Sequence, residues 1–350
     1  MNNTSFLNLS ANFHPHPPDT SYAGWVMIPL TLATLIANIL LIAVYIRFSS
    51  IRTPFAVYVI SLACGDLLQT FTLCIHSTVT LLGIRWPFGR SLCILALYLS
   101  WALVSFCFHM HVLICANRLW AVTLANHYRL YHNRTVAVSC VVGIVVYINV
   151  WVLPGFGIHL RYYADGTGAF ICVPDYPELN LWAHSADVAL YFVPELLILV
   201  MYPVIFLKVN GKLRNRVRTG QDGSAPEFVS YTQKSAGNTR SGITNDSMLT
   251  TKSVDGTGLE ERSRARQRIP GRPINPRRHF AILTALVIGA VLCWTPLNVA
   301  YLLIMFQSFT GYQMLAPCTL IFYLDGLLNP LIYPLASAEW REAFKKLFRR

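Results

Sequence analysis

Residues 322–350 read FYLDGLLNPLIYPLASAEWREAFKKLFRR. The first part is apolar enough to lie in lipid, yet it carries Asp325, Asn329 and the helix-breaking Pro330. Polar groups of this kind are costly in hydrocarbon and belong against other protein or a wet cavity. Asp325, Asn329 and Tyr333 recur every four residues, so a helix puts them on one face. That face must look inward, onto a bundle. The closing ASAEWREAFKKLFRR sets Trp340, Phe344, Leu347 and Phe348 on one face among basic residues, the pattern of a helix lying along a membrane surface.

The rest of the chain agrees. It has 350 residues, 54% hydrophobic and only 13% charged, far from the composition of soluble domains. Apolar spans long enough for a bilayer occur near 25–47, 55–82, 92–116, 136–158, 184–207, 280–305 and 313–335. The expected fold is an all-α membrane protein, a seven-transmembrane helix bundle with a short amphipathic helix after the seventh span. All but three of the 28 Lys and Arg fall in the odd-numbered connections and the tail, the exceptions being Arg85, Arg90 and Arg161. By the positive-inside rule the N-terminus is outside and the C-terminus cytoplasmic. The net charge of +12 then marks the face against anionic lipid, and no nucleic-acid partner is needed to explain it.

Residues 1–24 form a polar, Pro-rich extracellular segment with glycosylation sequons at Asn2, Asn3 and Asn8. No cleavable signal peptide is expected there, because the first span can serve as its own insertion signal. The segment at about 210–275 is rich in Ser, Thr, Gly and Arg and too poor in apolar residues to pack, so it is expected to be a disordered inner loop.

The third span carries Cys93 at its outer end and Arg118 at its inner end, 25 residues apart. At about 1.5 Å per residue this separation crosses the bilayer. Cys172 lies in the second outer loop, and outside the cell the two thiols are expected to be oxidised. The alternative is two unpaired thiols. The other cysteines fall within apolar spans, where a free buried thiol is ordinary.

Taken in order, Asn38, Asp66 in SLACGD, WPFGRSLC, NRLWAV, FVPELLILVMY with Tyr202, CWTP and NPLIY resemble the signature motifs of the rhodopsin-like, or class A, G-protein-coupled receptors. The resemblance runs over about residues 25–348, apart from the inner loop. It implies a receptor domain at 25–335 and a cytoplasmic helix or tail at 336–350, in the plasma membrane. It also implies an extracellular ligand, a heterotrimeric G protein, and regulation by receptor kinase and arrestin through the Ser/Thr-rich 219–257 loop. No enzymatic activity is expected.

Residues for activation and G-protein coupling would be Asn117, Arg118, Tyr202, Pro296, Asn329, Pro330 and Tyr333. Pro194 and Pro296 each remove a backbone hydrogen bond and provide hinges. The family's acid and tyrosine beside the arginine are Asn117 and Leu119 here, so an inactive-state lock must be weaker or come from elsewhere. NPRRHF before the sixth span offers no acid for an ionic latch. The fourth span also departs, with Trp151 as its only tryptophan where the family pattern expects one near Ile144.

Helical spacing turns Ser100, Trp101 and Val104 of the third span toward an outer cavity. Asp187 and Tyr191 would line it from the fifth, Trp294, Asn298 and Tyr301 from the sixth, and Thr319 and Tyr323 from the seventh. Amine receptors of this family place an aspartate where Ser100 stands, and opsins a lysine where Tyr323 stands. A typical biogenic amine and a retinal Schiff base are therefore both disfavoured. The Asn117-Arg118 pair and CWTPLN resemble melatonin-type receptors in a few residues, while Asp187 leaves open a cation approached from the fifth span.

The resemblance further implies an allosteric sodium ion at Asp66, Cys107, Asp325 and Asn329, and no other cofactor. Two carboxylates close together in low dielectric cannot both ionise cheaply, so either a cation bridges them or one keeps a proton. A neutral pair that only holds helices together is the alternative. The intramembrane acids Asp66, Asp187, Glu195 and Asp325 also suit a transporter or channel, although the chain shows no inverted repeat. His109 and His111 stand two apart, on different helix faces, and make a poor metal pair for an enzyme.

Overall fold

The computed structural model describes residues 21–81, 88–162, 180–218, 276–305, 314–336 and 338–349. Asn2, Asn3, Asn8, Cys172 and the 219–257 segment lie outside them. The elements are α1 Ser21–Arg47, α2 Pro54–Leu81, α3 Gly89–Thr123, the short α4 Ala125–Tyr131 and α5 Arg134–Tyr162. They continue with α6 Asn180–Asp187, a π-turn Val188–Phe192, α7 Val193–Arg218, α8 Pro276–Met305, α9 Leu315–Ala336 and α10 Ala338–Phe348. Among the described residues six helical stretches are long and apolar enough to cross a bilayer, and α8 adds the apolar stretch Val287–Leu303. Together they make the seven-helix bundle expected from the sequence.

The polarity of the bundle is reversed relative to a soluble core. Its outer faces carry Leu32, Leu68, Phe71, Val150, Leu207 and Leu292, all exposed. Its interior holds Asn38, Asp66, Ser105, His111, Asn117 and Asn329, all buried. Lipid accepts the first set, whereas each of the second must find a partner inside the protein.

Two boundaries differ from the sequence reading. The α7 helix runs on to Arg218, so the opening residues of the segment read as loop are helical. They are rich in Lys and Arg, good helix formers whose charges need only water. The fifth span is a continuous helical run that widens just before Pro194. A π-turn precedes that proline, and the wide turn places Pro194 in the first turn of α7, where its missing N–H costs least.

At the inner end Trp340 of α10 is buried and stacks on Tyr45 of α1, with ring centroids 6.5 Å apart. Phe344 and Leu347 pack partly against the same cluster, whereas Phe348 is exposed. The apolar face therefore divides, with Trp340 anchoring the helix to the bundle and Phe348 left for lipid.

Candidate functional site

The outer end of the bundle is walled by aromatic rings. Trp101 of α3 lies flat on Trp182 of α6, with centroids 5.8 Å apart and planes 3° from parallel. Gly155 of α5 makes this possible, because a Cβ there would stand 2.0 Å from the Trp182 ring. Tyr191, in the π-turn, donates its hydroxyl to the Trp101 carbonyl at 3.2 Å and meets Phe108 edge-on. Ser100 donates to the Ala96 carbonyl of its own helix at 2.7 Å.

Of the other residues read as cavity-lining, Val104 packs beside Phe108 and Trp294. Asp187 and Thr319 are half-buried, Tyr301 is half-exposed, and Tyr323 is buried edge-on to Phe322. Asn298 is buried, and its amide donates to Glu195 at 2.7 Å. Cys93 is disulfide-bonded, and Cys64, Cys74, Cys107, Cys115, Cys140, Cys293 and Cys318 are free thiols.

Below the wall, Phe108 stacks on Trp294 at 3.8 Å, and the His111 ring meets Trp294 edge-on at 4.7 Å. His111 is the residue the sequence reading missed. Its Nδ1 lies 2.8 Å from the Cys107 carbonyl and its Nε2 3.2 Å from Asn329 Oδ1, with Asp325 Oδ2 at 3.9 Å. The Asn329 amide cannot be turned round. Its nitrogen donates to Asp66 Oδ2 at 3.1 Å and Asp325 Oδ2 at 3.4 Å, and a carboxylate only accepts. Both ring nitrogens of His111 are thus engaged, and the ring bridges the Cys107 carbonyl to the Asn329 amide.

Beside this network is a cavity of about 10 Å3 lined by Asp66, Gln69, Thr70, Cys107, Asp325 and Trp294 among others. Asp325 Oδ1 and Gln69 Oε1 are buried without a hydrogen-bond partner among the described residues. The space suits one water or one small ion. An oxygen-rich lining with two unserved acceptors fits a sodium ion, with Gln69 an addition to the expected set. Asn329 is a poorer ligand than expected, since His111 takes its oxygen. The α1 helix is tied in by Asn38, whose amide donates to the Gly326 carbonyl at 2.9 Å.

At the inner edge the Arg118 guanidinium carbon lies 3.7 Å from the Phe55 ring centroid, a cation–π contact in place of the family's adjacent acid. Asn117 accepts from Tyr128 at 3.1 Å, which leaves its amide nitrogen to donate to His132 Nε2 at 2.9 Å. His132 therefore receives at Nε2 and is neutral. Burial first, and the Arg118 charge second, push its pKa down to about 4. Tyr58 approaches the same nitrogen at 3.3 Å. This knot of α2, α3 and α4 stands where a salt-bridge lock was absent from the sequence. Tyr333 is buried close to this end, Tyr202 is half-buried, and Pro296 lies inside α8. The side chains of NPRRHF lie outside the described residues.

Comparison with known proteins converges on one family. Residues 37–333 match the 7 transmembrane receptor (rhodopsin family) profile. The chain is 25% identical over 338 residues to the 5-hydroxytryptamine receptor 1B of Vulpes vulpes and 24% identical over 338 residues to that of Homo sapiens, covering 91% of this chain and 84% of each relative. It is 23% identical over 337 residues to that of Mus musculus, covering 91% of this chain and 85% of the relative. With the match spanning most of its length, the chain belongs to the rhodopsin family of seven-transmembrane receptors.

Proposed function

We propose that this receptor, with its N-terminus outside the plasma membrane, converts binding of an extracellular ligand into an inner opening that admits a heterotrimeric G protein. The observation that carries this is an unbroken line of contact from Tyr191 through Phe108, Trp294 and His111 to Asn329. It joins the outer aromatic wall to the NPLIY turn. A ligand that favours one placement of Trp294 biases the whole line, provided it binds the open state better. The inner half of α8 then swings about Pro296 and exposes Arg118, Tyr202 and Tyr333. Nucleotide exchange takes place in the partner.

The ligand is not a typical biogenic amine, even though the named relatives are 5-hydroxytryptamine receptors. Ser100 stands where amine receptors place their aspartate, and its hydroxyl is committed to its own helix. The rings around Tyr191 suit a largely apolar, aromatic molecule with few fixing polar groups. In the resting state Asp66, Asp325 and Gln69 hold one sodium ion in the mid-bundle cavity. The ion would offset the charge of the two carboxylates. Kinase and arrestin act on the 219–257 loop.

Nucleotide exchange on purified G protein tests this reading. Arg118→Ala at matched surface level should abolish receptor-stimulated exchange. Unchanged exchange would overturn it.

A further inference from the structure

Glu195 lies off the line just described. It is buried next to Pro194 in the first turn of α7 and reaches across to α8. Its Oε1 stands 2.5 Å from Thr295 Oγ1, and its Oε2 accepts from Asn298 Nδ2 at 2.7 Å. Thr295 and Asn298 flank Pro296, so one carboxyl group spans the interruption in α8. Thr295 Oγ1 is also 2.7 Å from the Val291 carbonyl. A hydroxyl has one hydrogen, and a carbonyl oxygen can only accept. Once that hydrogen goes to Val291, the contact with Glu195 needs a hydrogen from the carboxyl side.

We infer that Glu195 is held as the neutral acid, donating from Oε1 to Thr295 and accepting from Asn298 at Oε2, and that this clasp is the pivot fixing α8 to α7 at Pro296. The charge argument is independent of the hydrogen count. Among the described residues no Lys, Arg or His lies within ion-pair distance of Glu195, and an unpaired carboxylate at membrane depth is costly. A proton removes that cost with every oxygen still served. The clasp sits at Pro296 itself, so it resists sliding of α8 along α7 while leaving the inner half free to rotate. The pivot role rests on the opening motion proposed above, whereas the protonation does not.

Infrared difference spectra of the purified receptor in lipid nanodiscs, wild type against Glu195→Gln, test the protonation. A deuterium-sensitive carboxylic-acid carbonyl band should be lost in the variant; carboxylate bands in its place overturn the neutral acid. Gln can itself donate to Thr295 and accept from Asn298, so Glu195→Gln should keep the wild-type thermal midpoint. Glu195→Leu should lower it by about 5 °C. Equal losses for both variants would also count against the neutral acid.

Spin labels on the inner ends of α2 and α8, with nucleotide-free G protein added, test the pivot. Wild type and Glu195→Gln should give one displaced distance and Glu195→Leu a broad distribution. A narrow distance in the Leu variant overturns the pivot. No displacement in wild type would instead overturn the opening motion.

Discussion

Among the described residues two histidines are buried at different depths, and their neighbours have opposite signs. His111, in the middle of the bundle, meets the Asn329 oxygen and the Asp325 carboxylate. His132, at the inner edge, receives a hydrogen from Asn117 while Arg118 stands near. The first imidazole bridges a carbonyl and an amide beside a carboxyl group, and the second is a neutral acceptor. Residue type alone does not set the role of a buried titratable group; the charge that faces it does.

Removing the mid-bundle imidazole tests this most severely. His111→Leu strips Asn329 Oδ1 of its partner and leaves it buried and unserved, which should cost about 1–3 kcal/mol. Thermal unfolding and surface expression should both fall sharply. If the variant is as stable as wild type, His111 is a spectator and the contrast with His132 disappears.

The next test makes the inner cluster resemble the middle one. Asn117→Asp puts a carboxylate 2.9 Å from His132 Nε2, in place of the present donor. It also supplies Arg118 with the adjacent acid that the sequence lacks. His132 should then become protonated near neutral pH, visible in the histidine ring resonances. Basal nucleotide exchange should fall several-fold, consistent with an added resting-state interaction of about 1 kcal/mol. Unchanged basal exchange would show that the Asn117 knot already locks the resting state fully.

The wild-type His132 gives a smaller, pH-dependent signature. Its folded-state pKa of about 4 lies below the ordinary 6.5, so between these values the unfolded chain binds a proton that the folded one does not. Stability should therefore hold above pH 6.5, decline as pH falls toward 4, and gain no further loss from this group below 4. Allowing for partial water access, the loss is about 1–2 kcal/mol. His132→Phe should flatten the melting-temperature profile in that window. A profile with the same slope would assign the dependence to other groups.

The seven helices and the inward face of Asp325, Asn329 and Tyr333 were legible because both follow from spacing along one helix. Asp66 could be matched to them because an intramembrane acid has few places to go. The rest depends on which side chains of different helices come into register, and no periodicity encodes that. His111 was read beside His109 as a poor metal pair; their opposite faces were correct, but spacing could not show that one face met Asn329. Helical position places Asn298 toward the cavity but could not show its hydrogen bond to Glu195 across the interface. Trp182 could not be placed against Trp101 without knowing that Gly155 leaves room for its ring. The bulge before Pro194 has no residue signature either, since Val188–Phe192 reads as an ordinary apolar turn.

The smallest expected effect concerns the ion and bears directly on His111. If His111 alone completed the cluster, Asp325 Oδ1 and Gln69 Oε1 would need only a water, and alkali ions would not matter. Two carboxyl groups and two unserved oxygens still face the adjacent cavity, so a sodium ion should bind there. An ion present at a few times its dissociation constant stabilises the folded state by about 1 kcal/mol. Melting of the purified receptor in sodium chloride should thus exceed that in N-methyl-D-glucamine chloride at equal ionic strength by a few degrees. Gln69→Leu removes one unserved oxygen without touching His111, and should abolish the difference. Equal melting of the wild type in the two salts would mean that the histidine and a carboxyl-bound proton complete the cluster without a metal, and the two buried imidazoles would then differ still more than proposed.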